Sequence, residues 1–206
     1  MKKIMNDPEI TQYSNLMEEI KVRMSVFDFF TTGQGHALFK PTTIESVCLQ
    51  LRKVLELIAM ASLVANKEAY SAAHKGFAKH WNAKRLLKDL ERLNPDFYPR
   101  PVRVAPSIKP GTQVHFIDRE NDYLNKDEFV ELYLKCSKML HAENPFAKRI
   151  DYKDYERDLP VWRQKIINLL DLHWISLLDK TELYLIQMKG EVDGKVNLYS
   201  SIPRPA

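Results

Sequence analysis

The stretch KDEFVELYLKCSKMLHAENPF (residues 126–146) decides how the rest of the chain is arranged. Asn125 precedes it and Glu128 follows three residues later, a spacing that predicts an N-cap with a capping box. Pro145 disfavours helical geometry at the residue before it, so the helix is predicted to end near 141–143. The sequence therefore specifies both ends of one helix.

The helix predicted in 126–146 carries two apolar stripes. The broad one comprises Phe129, Leu132, Tyr133, Cys136, Met139 and Leu140. The narrow one comprises Val130, Leu134, Ser137 and His141. A surface helix needs only one apolar face. Two stripes predict a helix that packs on both sides, either within a bundle or across a subunit interface.

The composition is typical of a globular protein. The 206 residues are 45% hydrophobic and 28% charged, with a formal net charge of +4, and this length suits a single compact domain over 1–206. The longest apolar run, 57–65, is about half of the ~20 residues that a membrane span needs, and the N-terminus lacks an apolar signal core. We therefore expect a cytoplasmic protein with no membrane segment.

The helical periodicity predicts a mainly α fold, a bundle of about five helices with a small β element. The helical core is predicted over about 9–93 and 126–178. Its central helix is predicted over 42–66, where Thr42 and Glu45 match a capping box. Cys48 of that helix and Cys136 both lie on apolar faces. They are predicted to be buried, reduced thiols where the two helices meet, rather than part of a disulfide or a zinc site.

Two stretches interrupt the helical pattern. Residues 94–125 begin with NPDFYPRPVRVAPSIKPG, whose five prolines exclude a helix and predict a long connection with one strand near 112–117. Residues 182–200 are predicted to form a β-hairpin around a Gly-bounded loop. Since a lone hairpin is marginally stable, it is predicted to pack on the bundle or to pair with the strand near 112–117.

The helix predicted over 71–93 is the basic part of the molecule. Leucines form one face, and the opposite face comprises His74, Phe77, Trp81, Lys84, Arg85, Lys88 and Arg92. Aromatic side chains interleaved with basic ones are typical of surfaces that bind a nucleic-acid backbone and stack on unpaired bases. In the alternative interpretation, Phe77 and Trp81 are buried under a neighbouring element and the charges only solvate the helix.

Sequence motifs for metals and nucleotides are absent. The chain has no HExxH, CxxC, Walker or Rossmann pattern, so we expect neither a metal nor a cofactor. The loop that contains Gly33 and Gly35 lacks the Lys-Ser/Thr of a phosphate-binding loop and is predicted to be a turn.

The end of the 126–146 helix carries a positive residue, Lys135, and a histidine, His141. An earlier helix reads LQLRKVLELI (49–58). This arrangement, over about 42–146, resembles the HEPN superfamily of small helical bundles from bacterial toxin and antiviral defence systems. The resemblance implies a homodimer that binds RNA and, if it is an enzyme, a metal-independent endoribonuclease.

The HEPN motif is an arginine, usually followed by a polar residue, and then a histidine a few positions later. Carried onto this chain, the arginine position falls on Lys135, the polar one on Cys136 or Ser137, and the histidine on His141. The resemblance implies that His141 acts as general base or acid on a ribose 2′-hydroxyl while Lys135 neutralises the phosphorane. Lysine departs from the pattern because it cannot clamp a phosphate bidentately.

The alternative for the same residues is structural. His141 would donate to the carbonyl groups at the helix end, where its partial charge complements the helix dipole, and Lys135 would be solvated. The protein would then be a non-catalytic helical interaction protein, such as an immunity protein, an antitoxin or a phage-related partner.

Overall fold

A computed structural model describes residues 2–3, 8–67, 70–71, 83–106, 114–146, 149–176 and 183–200. The described helices are α1 (Pro8–Thr31), α2 (Lys40–Ala65), α3 (Ala83–Leu93), α4 (Lys126–Met139) and α5 (Tyr152–Leu170). The described strands are β1 (Lys2–Lys3), β2 (Arg100–Pro106), β3 (Val114–Asp118), β4 (Leu172–Ser176), β5 (Leu183–Gln187) and β6 (Asn197–Ser200). The predicted mainly α fold is confirmed. None of the helices in these ranges is long and apolar enough to cross a membrane.

The helix α2 lies at the centre of the bundle, as its apolar seam predicts. It is buried against α1 along most of its length and also packs on α3, α4 and α5. Its start differs from the prediction. The helix begins two residues before Thr42, and the Thr42 hydroxyl accepts a hydrogen bond from the Phe39 N–H at 3.3 Å. The predicted capping box of Thr42 with Glu45 is wrong. Pro41 has no N–H that would be left unsatisfied in the first turn of a helix, so it favours a helix that begins earlier.

The turn between α1 and α2 contains the two glycines. Gly33 has a φ of +75°, a left-handed conformation that favours glycine. The ring of Phe29 packs directly over Gly35, where a β-carbon would lie 1.9 Å from the ring. The predicted turn is confirmed, and both glycines are required by its geometry.

Both ends of α4 are close to the prediction. The Asn125 side chain accepts from the Glu128 N–H at 2.9 Å, and the Glu128 carboxylate accepts from the Asn125 N–H at 3.3 Å. The helix ends at Met139, two residues before the predicted 141–143. Against α2, the buried Cys136 thiol shares a hydrogen bond with Cys48, and this bond together with burial raises the pKa of Cys136 well above its usual value. The predicted contact between the two helices is confirmed.

The β element is larger than the predicted hairpin. The strands form one antiparallel sheet in the order β1-β6-β5-β4-β2-β3. The predicted pairing of β5 with β6 is confirmed, and the strand expected near 112–117 is β3. It does not pair with the hairpin, because β2 and β4 lie between them.

Both intervening strands, β2 and β4, differ from the sequence prediction. The strand β2 lies within the Pro-rich 94–125 connection. Proline is tolerated near strand ends, and in β2 the two prolines occupy the second and last positions. The strand β4 occupies residues predicted to continue the last helix. Its buried positions alternate, so His173 and Ile175 face the helices, and His173 is therefore a strand residue rather than a helical one.

The helix α5 begins well before Pro160. Asp151 caps it by accepting from the Lys153 N–H at 2.9 Å, and Pro160 lies inside it. Pro160 is exposed, so water can solvate the carbonyl group left without a helical donor. The helix ends at Leu170, where the chain enters β4.

Buried hydrogen bonds join the sheet to the helices. His173 of β4 donates its Nδ1–H to the Leu170 carbonyl at 2.7 Å, which leaves Nε2 to accept from the Tyr13 hydroxyl of α1 at 2.8 Å. Burial lowers the pKa of His173 to about 4 and raises the pKa of Tyr13. Both rings are therefore neutral near pH 7.

Candidate functional site

Lys135, the predicted catalytic cation, lies in a cleft between α4 and α5. Its ammonium nitrogen is 2.7 Å from Asp158 Oδ2 and lies 4.5 Å from the centre of the Trp162 ring and 5.5 Å from that of Tyr155. The cleft has a volume of about 190 Å³. Lys135 is thus held by one carboxylate and two aromatic rings of α5.

The electrostatics of this cleft favour a structural role for its charges. The hydrogen bond from Lys135 holds the pKa of Asp158 below its usual value. Burial raises the pKa of Tyr155 to about 12, and its hydroxyl donates to the Lys135 carbonyl at 3.2 Å. A second ion pair in the cleft joins Lys165 to Glu128. Both lysines of the cleft therefore already have a carboxylate partner.

Ser137 and His141 do not join Lys135 in this cleft. The Ser137 hydroxyl donates to the Tyr133 carbonyl at 2.7 Å, and its position is about 200° around the helix from Lys135. His141 follows the end of α4 with an exposed side chain, and its backbone N–H donates to the Lys138 carbonyl at 3.4 Å. Within one chain, the three predicted catalytic residues therefore do not form one site.

The two apolar stripes of α4 have different environments. The broad stripe is buried in the core, except for the half-buried Leu140. In the narrow stripe, Val130 is half-buried, whereas 49% of Leu134 is exposed. Within one chain α4 thus packs mainly on one side, and a subunit interface over its second stripe stays a prediction.

The basic face predicted over 71–93 is described only in part. His74, Phe77 and Trp81, together with the side chain of Lys84, lie outside the described residues. Arg85, Lys88 and Arg92 are exposed on α3, and the side chains of the two arginines are 80% exposed. Asp89 of the same helix lies 3.7 Å from Arg85 and 3.8 Å from Arg92. These charges face solvent.

The opposite face of α3 fixes the helix to the core. Its buried side chains are Leu86, Leu87 and Leu90. At the end of the helix, the buried Asn94 amide donates to Asn66 Oδ1 of the residue after α2 at 2.7 Å, and Asn94 Oδ1 accepts from the Asp96 N–H at 3.0 Å. This network holds the basic face in one orientation.

A second cleft, of about 250 Å³, lies where α3 leads into β2, and sequence reasoning missed it. Tyr98 of the α3–β2 connection and Arg100 at the start of β2 line it. Tyr123, which precedes α4, Lys126 at the start of α4 and Trp174 of β4 line it as well. Lys126 also forms an ion pair with Glu91 of α3, so the cleft adjoins the end of the basic helix. The sequence carries a local signal for it in the aromatic-basic run FYPR (97–100).

The described residues contain no group of three His, Cys, Asp or Glu side chains that could hold a metal ion. The polar chemistry of the two clefts instead comes from paired lysines and carboxylates, from arginine and from aromatic rings. Such groups bind anions and flat rings.

Comparison of the chain with protein-family models, with curated proteins and with solved structures found no match.

Proposed function

We propose that the protein binds single-stranded RNA through the basic face of α3, defined by Arg85, Lys88 and Arg92. The observation that carries the proposal is the exposure of these three cations on a helix whose other face is buried. Arg85 and Arg92 are separated by seven residues, about 10 Å along the axis and nearly two full turns, so they lie on one side. Such a row of cations tracks a phosphate backbone.

The weak internal pairing of these cations supports the same proposal. Separations of 3.7 and 3.8 Å from Asp89 are longer than a charge-assisted hydrogen bond. The Asp89 side chain is only 11% exposed, whereas both arginines are 80% exposed, so a phosphate group can contact the arginines from solvent while Asp89 stays in place. The Lys135 cleft lacks this property, because Lys135 is bound at 2.7 Å and covered by two rings.

The experiment is a titration of a fluorescently labelled single-stranded RNA at several salt concentrations. We expect the Lys88→Glu/Arg92→Glu variant to bind more weakly than the unmodified protein. If each cation contacts one phosphate, the slope of log affinity against log salt becomes shallower by about 1.4. The control is Lys153→Glu/Lys189→Glu, which makes the same change in net charge at two exposed lysines of other elements.

If both pairs of substitutions weaken RNA binding equally, the binding depends only on net charge, which contradicts a defined α3 surface. If the unmodified protein binds no RNA at all, the proposal fails, and a non-catalytic interaction protein, such as an immunity protein or an antitoxin, becomes the better interpretation.

A metal-independent ribonuclease of the HEPN type is the second candidate, and the exposure of His141 favours it. His141 is accessible at the end of α4, so the two histidines of a homodimer can face one groove. The test is cleavage of single-stranded RNA in the presence of a chelator, with His141→Ala as the control. Cleavage that persists in this variant would come from a contaminating nuclease and would contradict the role of His141.

A further inference from the structure

We propose that the cleft between α3 and β2, which we call the Trp174 cleft, holds one unpaired base of the bound RNA stacked against Trp174. The inference rests on the proposed function, because it says which feature of the RNA, an unpaired base, the protein recognises. It concerns a different set of residues from the basic face of α3.

The walls of the Trp174 cleft suit a flat ring. Trp174, Tyr98 and Tyr123 supply aromatic surface, and Pro95, Pro99 and Pro101 supply rigid apolar surface. Stacking of a base on an aromatic side chain contributes substantially to single-strand binding and tolerates any base. The cleft volume of about 250 Å³ is below the ~300 Å³ at which typical ligand pockets begin, so the space fits one base better than a larger ligand.

The neighbours of Trp174 hold its ring in place before any ligand arrives. The rings of Trp174 and Phe116 meet edge to face, with centres 5.8 Å apart and planes at 88°. Trp174 is half-buried and directly opposite Arg100 in the pairing of β2 with β4. A side chain that is already ordered loses little conformational entropy on binding.

Two cations, Arg100 and Lys126, and one carboxylate, Asp96, line the Trp174 cleft, and the two cations can hold the phosphate groups that flank the base. The side chain of Arg100 is 55% exposed and lies 3.5 Å from Asp118, and that of Lys126 is 42% exposed and is paired with Glu91. Surface pairs of this kind are weak and are readily exchanged for a phosphate. The cleft therefore combines stacking surface with exchangeable positive charge, the two features of single-strand sites.

The Trp174 cleft lies beside the last turn of α3. The pair between Lys126 and Glu91 places the last turn of α3 beside the cleft, and Arg92 follows Glu91 directly. The hydrogen bond of Asn94 to Asn66 fixes the turn that separates the two. A strand bound along α3 thus reaches the cleft without a change in the protein fold.

The test compares single-stranded RNA with a duplex of the same sequence, because a base inside a duplex is not available for stacking. We expect Trp174→Ala to weaken single-strand binding about tenfold and to leave duplex binding unchanged. Trp174→Phe keeps an aromatic ring and should retain most of the affinity. Trp162→Phe, which alters the tryptophan beside Lys135, is the matched control and should have no effect.

A direct readout does not depend on the stability of the alanine variant. A single-stranded RNA carrying 5-iodouridine, irradiated on the unmodified protein, should crosslink to the peptide that contains Trp174 or to the one that contains Tyr98. Crosslinks confined to other peptides, or equal binding by the Trp174→Ala variant, would overturn the inference.

The two proposals fail in distinguishable ways. Binding that falls with Lys88→Glu/Arg92→Glu but not with Trp174→Ala overturns the Trp174 cleft and leaves the α3 surface standing. Binding that falls only with Trp174→Ala overturns the α3 surface. An unmodified protein that binds neither RNA form overturns both.

Discussion

The helices α5 and α3 are both amphipathic and both rich in charge, but their charged side chains have opposite roles. On α5, Asp158 holds Lys135 at 2.7 Å, Arg163 forms two hydrogen bonds of 2.5 and 2.8 Å with Asp28, and Lys165 is paired with Glu128. On α3, the arginines at both ends of the basic face are 80% exposed. These three ion pairs join α5 to α1 and α4, whereas the cations of the basic face of α3 are accessible to a ligand.

This difference depends on what packs against each helix. The partners of these three α5 side chains come from α1 and α4, and Asp28 lies 135 positions before Arg163 in the chain. For the exposed α3 arginines, the carboxylate of Asp89 comes from the same helix. The sequence of a charged helix thus does not show which of its charges are bound within the fold, because the partners come from distant parts of the chain.

The largest expected effect concerns the C-terminal end of α5, where His173 bonds to the Leu170 carbonyl. The folded pKa of His173, about 4, is below its unfolded value of 6.5, so the unfolded chain binds more protons between these values. Burial of neutral His173 therefore contributes stability that is complete above about pH 6.5 and is lost as the pH falls to 4. The total loss is about 3 kcal/mol of unfolding free energy. Urea unfolding at a series of pH values measures it.

His173→Gln is the control for this prediction. Its amide can still donate to Leu170 and accept from Tyr13, but it does not titrate. We expect the steep part of the profile between pH 6.5 and 5 to flatten in this variant. An unchanged slope would show that another group causes the acid sensitivity.

The next largest effect concerns the connection of α3 to the core. Asn94→Ala removes the donor to Asn66 Oδ1 and leaves that buried oxygen without its 2.7 Å partner. Such a loss costs about 2 kcal/mol, and amide hydrogen exchange should accelerate in α3 more than in α5. The control is Gln164→Ala, which removes an exposed 2.9 Å bond to Asn168 on α5 and should change stability by less than about 0.5 kcal/mol. Equal costs would contradict the role of the buried amide pair.

The sequence predicted those features that depend on neighbouring residues. The start of α4 follows from Asn125 and Glu128, which are three positions apart, and its end from Pro145. The exposed face of α3 follows from helical periodicity, because Leu86, Leu87 and Leu90 fix which side is buried. In each case the deciding contacts span about one or two helical turns.

Features that depend on distant partners were not predictable in this way. The strand β4 has only five residues, and its alternation is too short to distinguish it from the helical pattern that precedes it. The sequence placed Lys135 on α4 but did not show that Asp158 and Trp162 would enclose it from α5. The Trp174 cleft likewise joins residues from four different parts of the chain.

The smallest expected effect compares one lysine from each kind of surface. Lys135→Met removes the partner of Asp158 and the cation over Trp162, and it should cost about 1 kcal/mol of unfolding free energy. Lys88→Met, on the exposed face of α3, should cost less than about 0.5 kcal/mol. Urea unfolding of the two variants measures the difference, and an equal cost would remove the distinction between the two helices.

A double-mutant cycle with Asp158→Asn identifies the ion pair as the source of the Lys135 effect, because the coupling energy excludes the packing of the lysine stem. The pKa of Asp158 is lowered by Lys135, so the pair's contribution is present above the usual carboxyl value of 3.8 and is lost as the pH falls through the lower folded value. The coupling energy should therefore be constant between pH 5 and 7. A coupling near zero in that range would mean that the Tyr155 and Trp162 rings alone hold Lys135 in its cleft.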